Sequence, residues 1–343
     1  MSTAVTEPAA PARPARRLMG RSRLLVALAS VGLVALVGAL AWWALRPTVP
    51  TFIEYRVPTP GAIPAAIAAA PDGTIWFTLD SSDQLGRVSN GEVGVVSKGH
   101  RSAEPLGLAV ATDGALWFTD ALAGSIARRA PDGSRTSVTL SSPTDKLARL
   151  AAAPDGSIWF ADGTLNALVR IHDATLAPVA LPTFRSGPFG VAVASDGTVW
   201  TTLQYVNKLA RIAPNGEVTE VDLPTRQANP TDVAIDSTGA VWFAELRANK
   251  IGRYADGDFT EFSVPTPSAG VTGLAVAPDG SVWFTETRGH KLGRLRDGTF
   301  REFDLPRPDA RPFGITVDRA GNVWYTDLSG VVGMLPADRA SAR

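Results

Sequence analysis

Three residues beyond each of seven evenly spaced tryptophans stand Leu79, Asp120, Asp162, Leu203, Glu245, Glu286 and Asp327, so one register is acidic five times in seven. Carboxylates repeated at one register would ring a channel mouth and take up a divalent cation or a cationic ligand, with Glu245, Glu286 and Asp327, from consecutive units, as the metal candidates. The plainer alternative is that they accept hydrogen bonds from nearby backbone amides or pair with the recurrent lysines and arginines. Positions that break the repeat are better functional candidates. Arg149 and Asp232 stand where most units have Ala or Gly, and charges there need pairing or water. Glu104, Lys146 and Arg311 are further departures, and these five are the candidate ligand-binding residues. The three histidines are His100, His172 and His290. The spacing puts His172 in a turn on the far face, His100 in a link and His290 in a loop on the candidate face, where His290 is a weak alternative base. With no cysteine there is no thiolate nucleophile and no cysteine zinc site. No Ser/His/Asp order, phosphate-cradling loop or nucleic-acid patch stands out.

The tryptophans that set this register are Trp76, Trp117, Trp159, Trp200, Trp242, Trp283 and Trp324, spaced by 41 or 42 residues. A glycine precedes each by three residues, commonly closing a Pro-Asp-Gly or Ser-Asp-Gly turn. An arginine follows most of them by eleven. One unit reads as four short strands: the apolar run Gly273–Ala277, Ser281–Glu286 folded back across the turn, Lys291–Leu295 and Phe300–Leu305. Such units cannot bury both faces alone, and seven of them predict an all-β, seven-bladed β-propeller of four-stranded blades over 50–335. The seventh unit ends without a fourth strand, whereas Phe52–Pro60 matches the fourth-strand segments, so residues 52–57 are expected to close the last blade. Residues 336–343 read as a polar tail. The recurrent Trp and Arg read as packing and pairing between blades.

The 343 residues carry no net charge, but Arg13, Arg16, Arg17, Arg21, Arg23 and Arg46 face only Glu7 in the first 46, leaving the remainder mildly acidic. Residues 1–23 read as a disordered basic cytoplasmic tail. Leu24–Leu45 is 22 residues without a charge, about 33 Å as a helix, enough to span a bilayer. The preceding arginines predict a single-pass signal anchor in the cytoplasmic membrane, N-terminus inside and propeller outside. The alternative is cleavage near Ala41, at the Ala39-Leu40-Ala41 site, and secretion. Arg16-Arg17 also hints at a twin-arginine signal.

The units, such as Gly270–Asp327 and Ala248–Pro267, resemble those of the virginiamycin B lyase (streptogramin lyase) family, and the resemblance covers residues 52–334. It implies a bacterial Mg²⁺-dependent carbon–oxygen lyase that opens the lactone ester of streptogramin B-type cyclic depsipeptides. There a metal polarises the ester carbonyl and a histidine removes the adjacent proton. The family's two histidines fall on Thr272 and Phe313, and its metal-binding glutamate falls on Arg311; only the acid at Asp327 is kept in kind. Phenylalanine takes no proton, and a guanidinium does not bind Mg²⁺.

The expected function is therefore a membrane-anchored extracytoplasmic binding module without lyase catalysis and without a required cofactor. Its partner would be a small molecule, a peptide or an envelope protein rather than nucleic acid, and the chain is expected to be a monomer. The alternative is a divergent C–O lyase, or a metal-dependent lactonase using Mg²⁺, Glu245, Glu286, Asp327 and His290. A scaffold docking a neighbouring membrane protein is a third reading.

Overall fold

The computed structural model describes residues 52–102, 105–140 and 146–340. Within them lie seven four-stranded antiparallel sheets. The first six blades run from Ile63–Ala69 at the channel to Glu92–Ser102 outside, then Leu108–Thr139, Leu147–Ala180, Pro188–Asp222, Pro230–Ser263 and Val271–Asp304. The seventh takes Pro312–Val317, Val323–Asp327 and Val331–Leu335 from the C-terminal side, and Ile53–Arg56 adds as its outermost strand, with Ile53 opposite Met334 and Arg56 opposite Val331. The added strand covers the edge of Val331–Leu335 that the C-terminal side alone would leave open.

The turn that joins the first two strands holds Asp-Gly in five blades, and in the fifth and seventh Asp236 and Asp318 stand three residues before Gly239 and Gly321. In the sixth blade Asp279 Oδ1 accepts from Ser281 N at 3.0 Å, and Gly280 N donates to Ala277 O at 2.9 Å with φ +79°. Glycine adopts that φ without strain. The second strand then carries Trp283 and Phe284, both at most 2% exposed, into the space between sheets. Arginines of the third strands lie over the tryptophans of their own blades, Arg253 at 5.7 Å from Trp242 and Arg294 at 5.9 Å from Trp283, adding a cation–π contact to apolar burial.

Six of the seven first strands, all but that of the second blade, share one irregularity that decides where side chains point. The ladder to the second strand slips between Pro64 and Ile67, Leu147 and Leu150, Pro188 and Val191, Pro230 and Val233, Val271 and Leu274, and Pro312 and Ile315. Such bulges re-aim side chains and leave backbone groups without ladder partners.

Two expectations change. Residues 337–340 form a helical turn whose Ala340 is 6% exposed, and Arg294 Nη1 donates to its carbonyl at 2.8 Å; small alanines let this part of the expected polar tail dock beside Trp283. His100, expected in a link, lies within the long outer strand Glu92–Ser102. Among the described residues no helix is long and apolar enough to cross a membrane. The basic tail and the span expected over Leu24–Leu45 lie outside the described residues.

Candidate functional site

Each bulge opens on the face where second strands end and blade-to-blade links run. Arg149, Asp232, Thr272 and Phe313 all stand in these bulges. Five blades treat this point of the first strand alike. The amide of Ala66, Gly107, Gly190, Gly273 or Gly314 donates to the hydroxyl of Thr78, Thr119, Thr202, Thr285 or Thr326 at 2.8–2.9 Å. Four of those hydroxyls donate onward to the next blade: Thr78 to Pro105 O, Thr202 to Thr231 O, Thr285 to Phe313 O and Thr326 to Ala65 O, at 2.6–2.9 Å. Small bulge residues are needed because the next blade passes close by. A Cβ on Gly273 would stand 2.4 Å from Phe313 O.

The third and fifth blades differ at both positions of this staple. Arg149 and Asp232 replace the small residue, and Ala161 and Ala244 replace the threonine. The two charged residues meet past the fourth blade, with Arg149 Nη2 3.4 Å from Asp232 Oδ2 and side chains 12% and 15% exposed. Asp232 also accepts from Val233 N at 3.2 Å and Leu274 N at 3.1 Å. Arg149 donates to Leu106 O at 3.4 Å, and its guanidinium carbon lies 5.4 Å from the centre of the Phe313 ring. Its Nε is buried without a hydrogen-bond partner. Sequence reading flagged the two charges but missed the alanines, although the Thr-to-Ala change two residues beyond Trp159 and Trp242 was there to be read.

The carboxylate register does not ring the channel mouth. Asp120, Asp162, Glu245, Glu286 and Asp327 are all at most 1% exposed. The aspartates cap the turn after their strand. Asp120 accepts from Ala123 N at 3.1 Å, Asp162 from Thr164 N and Leu165 N at 2.9 Å, and Asp327 from Ser329 N at 2.9 Å. Asp327 also accepts from Arg311 N at 3.1 Å and Arg307 Nη2 at 2.6 Å, and Arg307 reaches Glu54 at 3.2 Å. Glu245 and Glu286 are one methylene longer, and all four of their oxygens are buried without hydrogen bonds. Burial pushes Glu245 up to about 8, with Glu261 repelling it, and Glu286 up to about 7, with Glu302 repelling it. The nearby lysines are spent elsewhere, Lys250 on Glu261 at 2.6 Å and Lys291 on Glu302 at 2.9 Å. Glu245, Glu286 and Asp327 are thus not assembled into one site, and among the described residues no three His, Asp or Glu side chains gather to hold a metal.

The remaining candidates scatter. Arg311 and Lys146 are exposed at the starts of the seventh and third blades, and Glu104 lies outside the described residues. His172 ends a third strand, 3.6 Å from Asp173. His290 is exposed at φ +58°, and its Nδ1 donates to Ala310 O at 2.5 Å. It occupies the turn position held by Asn166, Asn207 and Asn249 in the preceding blades, each at positive φ with its amide clamping the following link. That is a structural post rather than a base aimed at the channel.

The model of the virginiamycin B lyase family matches residues 48–172 and 95–341. The chain belongs to the virginiamycin B lyase family. It is 35% identical over 159 residues to virginiamycin B lyase of Nocardia farcinica, a match that spans 46% of this chain and 54% of that one, about half the length of this curated relative. A catalytically inactive virginiamycin B lyase of Staphylococcus aureus, solved with quinupristin, superposes with a TM-score of 0.79 at 28% identity, over 82% of this chain and 98% of the other. YCF48 bound to D1 peptide shares the fold, with a TM-score of 0.68 at 13% identity over 87% and 99% of the two chains. The Mg²⁺ that the family resemblance implies does not fit the donors present at those positions. Phe313 has no donor, Arg311 is cationic, and both Asp327 oxygens already accept from nitrogen. The Thr272 hydroxyl lies 3.0 Å from that of Thr285 and 2.8 Å from that of Thr287.

Proposed function

We propose that this member of the virginiamycin B lyase family is a binding module that uses its channel face without the family's lyase chemistry. One observation carries the reading. The residues at the family's catalytic positions are each committed to other side chains, Thr272 in a hydroxyl chain with Thr285 and Thr287, Phe313 beneath the Arg149 guanidinium and Asp327 on Arg307. Proton abstraction needs a base within hydrogen-bond reach of the substrate. Glu286, with its raised pKa, is wholly buried, and His290 is engaged with a carbonyl.

The test is incubation of the protein with a streptogramin B antibiotic and Mg²⁺, followed by mass spectrometry and chromatography of the ring-opened product. No linearisation above the enzyme-free rate is expected. Metal-dependent ring opening, abolished by Asp327→Asn, would overturn the reading. The uncharged run Leu24–Leu45 behind the arginine cluster supports placing the module outside the cytoplasmic membrane, and protease shaving of intact cells tests that placement: the propeller should be digested from outside.

A further inference from the structure

We infer that Arg149 is the seat of a carboxylate, and that Asp232 holds its place until a ligand carboxylate takes it. The inference deepens the binding reading above and rests on it.

Three features of the pair point this way. Arg149 is under-satisfied: its contacts to Leu106 O and Asp232 are both 3.4 Å long, and its Nε has no partner. Charge-assisted N–H···O bonds ordinarily run about 2.7–2.9 Å. Asp232, by contrast, keeps two backbone amides whether or not it touches Arg149. Leaving the arginine therefore costs Asp232 little, and leaving Asp232 gains the arginine a better-placed partner. The Nε–Nη2 edge of a guanidinium is the fork that grips a carboxylate with two parallel bonds. Asp232 meets only one end of it.

The surroundings favour an anion carrying an apolar group. Phe313 stacks on the guanidinium, and the intervening fourth blade presents half-buried Phe189 at the same bulge. Around this mouth, Arg185, Arg226, Arg247, Arg288 and Arg311 are exposed on links and turns of the same face. Over the described residues from the third-to-fourth-blade link onward, the exposed acids there are Asp222, Asp304 and Asp309. A positive rim draws anionic ligands in and raises their local concentration. The third and fifth blades also give up the threonine staple that the other five keep, as expected where two positions serve a ligand rather than the ring.

The ligand is an organic carboxylate, and it has two sources, a small aryl or alkyl acid or the free C-terminus of a peptide. Calorimetric titration of the full chain with benzoate and with N-acetyl-Gly-Phe as free acid and as amide separates them. Benzoate binding identifies the small acid, and binding of the free-acid peptide alone identifies the C-terminus. The amide should not bind. Asp232→Asn is expected to bind the carboxylate probes at least tenfold more tightly, and Arg149→Gln at least tenfold more weakly, with Arg149→Lys between. Thermal unfolding of each variant checks that it folds, and Asp232→Asn keeps the arginine in place should Arg149→Gln fail to do so. Binding unchanged in Arg149→Gln would assign the anion to the rim and overturn the inference. So would sulfate binding as tightly as the carboxylates, or no binding by wild type and Asp232→Asn alike. Turnover of a streptogramin would instead overturn the proposed function and leave carboxylate binding standing.

Discussion

Arg149 meets Asp232 at 3.4 Å past an intervening blade, and the two blades that contribute them are the two that have Ala161 and Ala244 in place of the stapling threonine. The charged pair and the missing hydroxyls are one substitution pattern. In the other five blades a hydroxyl accepts from the first-strand amide; in these two a side chain at the bulge reaches over the channel instead.

That coupling can be tested by repair. Arg149→Gly removes the guanidinium packed on Phe313 and its bond to Leu106 O, and is expected to cost about 1–2 kcal/mol in urea unfolding. Adding Ala161→Thr should recover about 1–2 kcal/mol of it, because the staple of the other blades is then rebuilt. Additive effects of the two changes would reject the link between them.

Glu245 and Glu286 make the propeller less stable as pH rises. Their folded pKa values of about 8 and about 7 stand above the usual 4.5, so between pH 4.5 and 8 the native state holds more protons than the unfolded chain. Stability falls with pH across that window and levels off above it. Glu286→Gln should be more stable than wild type at pH 8–9 by on the order of 1–3 kcal/mol, with the gain vanishing near pH 4–5. The fourth blade already places Leu203, fully buried, at this register beside the equivalent Lys208–Glu220 pair. Thermal unfolding across pH checks the crossover; a gain that persists at pH 4.5 would show packing, not ionisation, to be its source.

Arg307 ties the closing strand to the seventh blade. It pairs with Asp327 at 2.6 Å and Glu54 at 3.2 Å, and Asp327 is 0% exposed. Arg307→Ala should cost about 2–4 kcal/mol by leaving that carboxylate buried without its cation. Combining it with Asp327→Asn should recover part of the loss, since the capping bond from Ser329 N survives. Limited proteolysis near residues 52–57 should accelerate in the single variant first.

His290→Asn should leave stability within about 1 kcal/mol of wild type or raise it, since asparagine takes the left-handed turn conformation readily and clamps the link in three other blades. A base in catalysis would instead show as lost activity with unchanged folding.

Much of this protein is legible along its sequence. Tryptophans every 41 or 42 residues, each three residues after a turn glycine, mark seven hairpins, and seven blades of four strands are what the chain forms. Local pattern carries that far because a turn and an apolar strand are decided by neighbours in sequence. The histidines missing at Thr272 and Phe313 are legible too, since a side chain without a titratable nitrogen has the same chemistry wherever it lies. The carboxylate register was not. One methylene separates Asp327, which caps its turn, from Glu286, whose oxygens find nothing, and only burial between packed strands makes that difference matter. Nor could spacing say that Arg149 would reach Asp232, because the bulge that aims them exists only where one blade passes against the next. Tertiary structure decided which charges are satisfied, and that depends on partners far apart in the chain.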